Sequence, residues 1–579
     1  SENNVSRIPS YDVDSGRKDS DNTFCFNSRR SPIVCKHACV ATSQPLASFI
    51  GIDLLKQGAN AADAAIAIAA ALAVTEPCST GLGGDMFCLF YDASLKEVHA
   101  INGSGKAPTN LTLEKILKDC PNGYDDFKLS PHAVTVPGAA RGWEDTVRKF
   151  GSGKFTLSQL LEPAAKLAEE GFPVSEVTAH FWEEGKSQLT KWLDDEMPIP
   201  LTSNGVDTPR AGEIFSNPDM ARVLRDLGRH GATEGFYDGA TGQSIVNCIQ
   251  KFGGVMTHDD LREHTSLFPT PISQAYRDVK LWQVPPNGQG IAALIALSGL
   301  KYLEEEGLCP RLSQDNVGKS AESLHVLIEM MRLGFADARK YVTCPDHTVS
   351  IDWLMDAKRI GDRAKERFHP NKAKCHDDCP LFSSDTVSFQ VVDDQGNAIS
   401  FVNSNYIGFG SGLVPDGCGF CLQNRGCNFS LDPDHANCFA PGKRPYHTII
   451  PAILTCKDEK SDEDLLYATL SNMGGFMQPQ GHLQLTVNMV AGGMNPQVAI
   501  DSPRFCIVDG TRNGIVELEV GVPPTVTDTL LLMGHQLKSE ISGYERYTFG
   551  RAQIIKKDPE TGVLWAGSDG RADGCAIGY

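Results

Sequence analysis

Apolar residues recur every three to four positions through most of the first 367 residues and every second position through much of the rest. From Gln44 to Lys56 the pattern predicts an amphipathic helix, ended by Gly58, and Asn60 is placed to cap a second helix. That second helix carries AAIAIAAALAV (64–74), apolar on every side and bracketed by Asp63 and Glu76. The run falls short of the roughly 18 residues a bilayer helix needs, so it predicts a helix buried in a protein core and no membrane span. Met86 to Phe90 and Val98 to Ile101 read as a hairpin behind the glycine-rich turn Gly81–Gly84. Helices are then predicted over Trp143–Phe150, Leu157–Glu170, Ala221–Leu227, Ile291–Glu306, Ala321–Tyr341 and Trp353–Arg367.

Residues 368–385 (FHPNKAKCHDDCPLFSSD) are polar and broken by proline, a linker signal, and after them the period changes to two. Thr386–Val392 alternates with Val387, Phe389 and Val391 on one face, Asp393–Gly396 forms a turn, and Ala398–Val402 returns. Further strands are predicted at Thr448–Leu454, Leu465–Leu470, Phe505–Val508, Gly514–Leu518 and Ala552–Lys556, with helices at Leu483–Ala491 and Val526–Met533. A helix-rich front and a strand-rich back sharing one core predict an α+β layered fold. The first 36 residues read as a polar, disordered leader, 37–385 as one segment and 386–579 as another.

Composition narrows the function classes. The formal charge of −19 opposes general binding to nucleic acid or anionic membranes, both polyanions. The 18 cysteines are scattered, mostly in apolar surroundings, and the first residues lack an apolar signal core, which together predict a cytoplasmic, reducing setting. Cys375-His376-Asp377-Asp378-Cys379 has no second ligand pair at finger or ribbon spacing, so loop thiols are expected there, without a metal.

Thr386 stands out because it opens a strand directly behind a linker. Cleavage of the Asp385–Thr386 bond would give its hydroxyl an α-amine as base within the same residue; a threonine starting a strand is also explained by β-propensity alone. Gly474-Gly475 could present two backbone N–H groups to an oxyanion, or simply form a turn. Gly81–Gly84 lacks the lysine of a phosphate loop. His447 and His482 could titrate near neutrality, although lone histidines are more often structural.

Several stretches in order resemble the γ-glutamyltransferase (glutathione hydrolase) family of N-terminal-nucleophile hydrolases, on the side of its cephalosporin acylases. They are residues 58–65 (GANAADAA), 76–84 (EPCSTGLGG), 136–142 (VPGAARG), 285–290 (PPNGQG), 441–445 (PGKRP) and Gly474-Gly475. The likeness runs from about His37 to Tyr579. It implies an αββα sandwich made as one precursor that cuts itself into a large and a small subunit. It also implies a nucleophile at Thr386, a supporting hydroxyl at Ser404, oxyanion glycines at Gly474 and Gly475, and no cofactor. The substrate would be a small amide, such as a γ-glutamyl peptide.

The departures lie among the substrate-binding positions. The family's carboxylate-gripping arginine corresponds to Ser104 and its acidic pair to Arg425 and Asn428. Its two serines correspond to His447 and Thr448, and an asparagine to Tyr406. A guanidinium standing where an ammonium should bind costs several kcal/mol at an effective dielectric of about 20. The expectation is therefore a self-processing threonine amidohydrolase that prefers an anionic or uncharged acyl head such as glutaryl, with Lys106 partly replacing the lost arginine. The alternative from another class is a non-catalytic relative serving as a scaffold; the retained Thr386, Ser404 and Gly474-Gly475 favour the enzyme.

Overall fold

A computed structural model describes residues 30–194, 196–374, 385–458, 461–508 and 514–579. Most of the predicted leader, and the Cys375–Cys379 stretch of the linker, lie outside the described residues.

Two antiparallel sheets face one another. The first runs in the order Cys575–Gly578, Cys39–Thr42, Asp385–Val392, Ala398–Tyr406, Asp85–Asp92, Glu97–Asn102. The second runs Ile33–Cys35, Leu564–Ser568, Arg551–Lys557, Asp464–Met473, Ala452–Lys457, Val279–Gln283, Ile272–Tyr276. Alternation explains their mating: Phe87, Leu89 and Val402 point inward from the first and meet Ile453, Ile555 and Ala566 of the second in one apolar layer.

Opposite faces take the helices. Outside the first sheet lie Pro45–Lys56, Ala61–Thr75, Ala139–Phe150 and Leu157–Glu170, packed on Val387, Phe389, Ile399 and Phe401. Outside the second lie Gly290–Glu305, Ala321–Tyr341 and Met477–Val490. The molecule is an αββα sandwich, as expected.

The alanine helix, Ala61–Thr75, is buried along its whole length. Its start is doubly fixed: Asn60 accepts from the Asp63 N–H, and the Ala61 N–H donates to the carboxylate of Asp393 in the turn of the Thr386 hairpin. A negative group at a helix N-terminus is favourable, so one carboxylate ties the central hairpin to the central helix.

Several boundaries differ from expectation for identifiable reasons. Ile33–Cys35, placed in the leader, is an edge strand paired with Leu564–Ala566. The strand expected at Thr448 begins at Ala452, because Pro451 lacks an N–H and Ile450 donates to the Gln478 side chain. The helix expected over Trp353–Arg367 is interrupted at Asp356, whose side chain caps the following segment, Ala357–Arg367. The helix expected from Leu483 starts at Met477, with Pro479 in its first turn, where a proline costs little. No described helix is long and apolar enough to cross a membrane.

Candidate active site

Thr386 and Ser404 lie on adjacent strands of the first sheet. The register pairs Asn403 with Val387 and Tyr406 with Asp385, so the Ser404 strand carries an irregularity between these pairs. Such bulges re-aim side chains, and here Tyr406 takes a positive φ of 78° while Ser404 Oγ reaches 2.9 Å from Thr386 Oγ1. The glycines before Asp85 permit this crowding: a Cβ on Gly84 would lie 2.2 Å from the Ser404 carbonyl oxygen, and one on Gly83 2.0 Å from that of Cys421. The Gly81–Gly84 turn is thus a close-packing device.

Two further donors converge on Ser404. Ser404 Oγ accepts from the Tyr406 N–H at 2.9 Å and from Arg425 Nη2 at 3.2 Å. The 2.9 Å contact between Thr386 Oγ1 and Ser404 Oγ is a hydrogen bond in which either hydroxyl can donate.

Arg425 sits in the short turn Arg425–Asn428 and is fully buried. Its Nη1 donates to Thr448 Oγ1, its plane lies 4.3 Å from the Tyr406 ring centroid, and its Nε has no partner. No described carboxylate forms a hydrogen bond or ion pair with it. Burial pushes its pKa down to about 10, opposed by the field of Asp85, so the group is cationic at neutral pH.

His447 Nε2 lies 2.8 Å from Asp85 Oδ2, while its Nδ1 faces the Ile449 N–H at 3.5 Å. Nε2 therefore carries the proton and donates to the carboxylate. Burial, followed by the Arg425 charge, pushes His447 down to about 4, against the pull of Asp85. Asp85 also accepts from the Gly138 N–H.

Gly474 and Gly475, with φ of 123° and 56°, turn the chain from the strand Asp464–Met473 into the helix Met477–Val490. They immediately precede Phe476, the N-cap of that helix, and their carbonyls accept from the Met477 and Gln478 N–H groups of its first turn. Gln289 connects them to the rest: its Nε2 donates to the carbonyls of Thr448 and Gly475, at 2.6 and 2.9 Å.

The structure therefore unites Thr386, Ser404, Tyr406, Arg425 and Thr448 in direct contact. It attaches His447 through Asp85, and Gly475 with its neighbour Gly474 through Gln289. Ser104 stands one residue further off, accepting from Asn287 Nδ2 at 2.9 Å. Asn428 closes the turn that carries Arg425; its carbonyl accepts from Asn437 Nδ2, and its side chain lies beside the Tyr406 hydroxyl. Lys106 is exposed and does not fill the position of the missing arginine. His482 is a structural histidine, bonded to Gln283 at 2.9 Å.

Asp85, Asn287 and Gln289 were not singled out from sequence. Each adjoins or sits in a glycine-bearing motif (residues 81–84 and 285–290), and Asp85 is a charge opening an apolar strand, which is the signal that could have marked it.

The model of the family described as gamma-glutamyltranspeptidase matches residues 47–579. The chain belongs to that family. Like other γ-glutamyltranspeptidases it is an N-terminal-nucleophile hydrolase, an enzyme of the amidohydrolase and acyltransferase class. It is 35% identical to a glutathione hydrolase-like YwrD proenzyme of Bacillus subtilis (strain 168), over 93% of this chain and 98% of that one. It is 30% identical to an oxamate amidohydrolase proenzyme of Klebsiella pneumoniae subsp. pneumoniae, over 94% and 99%. Among solved structures, a cephalosporin acylase from Bacillus halodurans shares 38% identity and a TM-score of 0.85, covering 96% of this chain and 99% of that one.

Proposed function

We propose that this γ-glutamyltranspeptidase-family enzyme is a self-processing threonine amidohydrolase whose acyl substrates carry a carboxylate. The observation carrying the reading is Arg425, a buried cation facing the nucleophile without a carboxylate of the protein's own. A buried charge lacking its counter-charge is costly, and a substrate carboxylate supplies one in a bidentate geometry arginine favours. A γ-glutamyl group would instead set its α-ammonium against the guanidinium. One relative is named for oxamate, an amide that carries a carboxylate, which agrees with an anionic head.

In processing, Thr386 Oγ1 attacks the Asp385 carbonyl, the acyl group moves from nitrogen to oxygen, and water hydrolyses the ester. The product is a small subunit (386–579) with a free amine at Thr386, held to the large subunit that ends at Asp385. Thr386 is buried in the uncut chain, and Asp385 is paired opposite Tyr406, whose ring covers Arg425. Release of that strand end opens nucleophile and guanidinium together.

In turnover, the α-amine takes the Thr386 proton as Oγ1 attacks the substrate carbonyl. Ser404 steadies the attacking oxygen, and the N–H groups of Gly474 and Gly475 receive the oxyanion. The amine returns the proton to the leaving nitrogen, and water or an acceptor amine releases the acyl group. Every described cysteine is a free thiol, which supports a reducing compartment.

The test compares glutaryl-p-nitroanilide with γ-glutamyl-p-nitroanilide on wild-type and Thr386→Ala protein. Expected are a small fragment beginning at Thr386, faster turnover of the glutaryl compound, and an uncut, inactive variant. Cleavage elsewhere, or a processed enzyme that prefers the γ-glutamyl compound, overturns the reading.

A further inference from the structure

On the helix-covered side of the second sheet, well apart in sequence from the hydroxyl pair, the helix Ala321–Tyr341 presents His325 and Glu329 one turn apart. Spacing of i and i+4 puts both on one face. His535, just beyond the helix Pro524–Leu532, completes the group. All three side chains are buried, and one ligand-type atom from each lies within 4.8 Å of the others.

The hydrogen bonds already sort the nitrogens. His325 Nε2 donates to the His369 carbonyl at 2.8 Å, so its Nδ1 carries a lone pair. That lone pair faces His535 Nε2 at 2.7 Å, while His535 Nδ1 has no partner. A second hydrogen bond from a ligand histidine to a backbone carbonyl is the arrangement that orients imidazoles around metal ions. Glu329 supplies an anionic oxygen beside them. Among its contacts are the Lys374 N–H at 3.0 Å and Arg332 Nε at 3.7 Å.

We propose that His325, Glu329 and His535 form a binding site for a divalent transition-metal ion. Two imidazole nitrogens and one carboxylate oxygen suit Zn2+, Co2+ or Ni2+, and the oxygen-preferring Mg2+ and Ca2+ are disfavoured. Arg332 lies 3.7 Å from the Glu329 carboxylate and offsets part of its charge, so the two imidazoles carry most of the affinity. On binding, the His535 proton moves from Nε2 to Nδ1 and both inner lone pairs turn to the ion, with no net proton change. His325 and Glu329 precede Thr386 and His535 follows it, so the ion would join the two segments of the molecule. The site does not depend on the chemistry at Thr386, and its test reads metal binding alone.

The experiment titrates chelator-stripped, tag-free full-length protein with Co2+ and follows the visible d–d absorption, then displaces Co2+ with Zn2+. Expected is saturable absorption at one ion per chain, lost in His535→Ala and weakened about 10–100-fold in Glu329→Gln, with circular dichroism checking that each variant folds. Absence of saturable absorption in the wild type, or the same isotherm in the folded variants, overturns the proposal. If His535→Ala does not fold, Glu329→Gln decides: an unchanged isotherm overturns the site and a weakened one supports it.

Discussion

Two buried arginine clusters in this protein have opposite designs. In one, Arg504 and Arg571 share Asp569 at 2.8 and 3.0 Å, and Glu519 accepts from Arg571 Nε and Arg546 Nε, each at 2.7 Å. The two guanidiniums hold the Asp569 carboxyl well below the usual range, despite its burial, and the two carboxylates hold Arg571 above its own. Every guanidinium of that cluster meets a carboxylate. In the other, Arg425 reaches only the Ser404 and Thr448 hydroxyls and the face of Tyr406, with no described carboxylate in hydrogen-bond or ion-pair contact. A closed network stabilises one arrangement of the chain, whereas an open one keeps a place for a ligand's charge.

Variants in the two clusters should therefore fail in different ways. The largest effect is expected for Asp569→Ala, which strands two buried guanidiniums; breaking such a pair costs about 3–5 kcal/mol, read as a fall in urea midpoint at unchanged m-value. Next, Arg425→Met should cut kcat/KM for a glutaryl anilide by about 100-fold, the order expected for truncating a buried charge-assisted contact, and that for an acetyl anilide by a clearly smaller factor, set by the lost bond to Ser404. Its stability should hold or rise, since an unpaired charge is removed. A fall in stability matching that of Asp569→Ala would erase the distinction between the clusters.

A smaller effect comes from pH. His264 and His482 are pushed down to about 3, and His447 and His535 to about 4, chiefly by burial. The unfolded chain protonates these groups near 6.5 and the folded one does not, so stability is full above about pH 6.5 and declines toward pH 4. Each group contributes at most about 1.4 kcal/mol per pH unit in that window. Thermal midpoints at pH 7 and pH 4.5 measure the slope; an unchanged midpoint contradicts it. The mildest change expected is Ser404→Ala, a 10- to 100-fold lower kcat with KM held, about 1.4–2.7 kcal/mol of transition-state stabilisation.

Local pattern made much of this visible. Alternation in Val387, Phe389 and Val391 marked the Thr386 strand, and the all-apolar run at Ala64–Val74 marked a core helix. Ordered motifs marked Thr386, Ser404 and the glycine pair. What could not be read were contacts between distant stretches. Gln289 links Thr448 to Gly475 only after the sheets are stacked, and His535 meets His325 across 210 positions of chain. The hairpin Ile272–Tyr276 and Val279–Gln283 lies inside the part read as helical, although Val279, Leu281 and Gln283 alternate as a half-covered strand should. Ser104 shows the limit of motif transfer: its position in the text was clear, but its place behind Asn287 depends on packing.

Both sheets interleave strands from before and after residue 385: Asp85–Asp92 lies beside Ala398–Tyr406, and Val279–Gln283 beside Ala452–Lys457. The proposed scission there would remove a covalent link without creating a seam. Either fragment made alone would display rows of unmatched strand edges, so under that proposal the two would have to be born as one polypeptide and inherited together. A shuffled pairing with a distant cousin's fragment would have to match both layers at once.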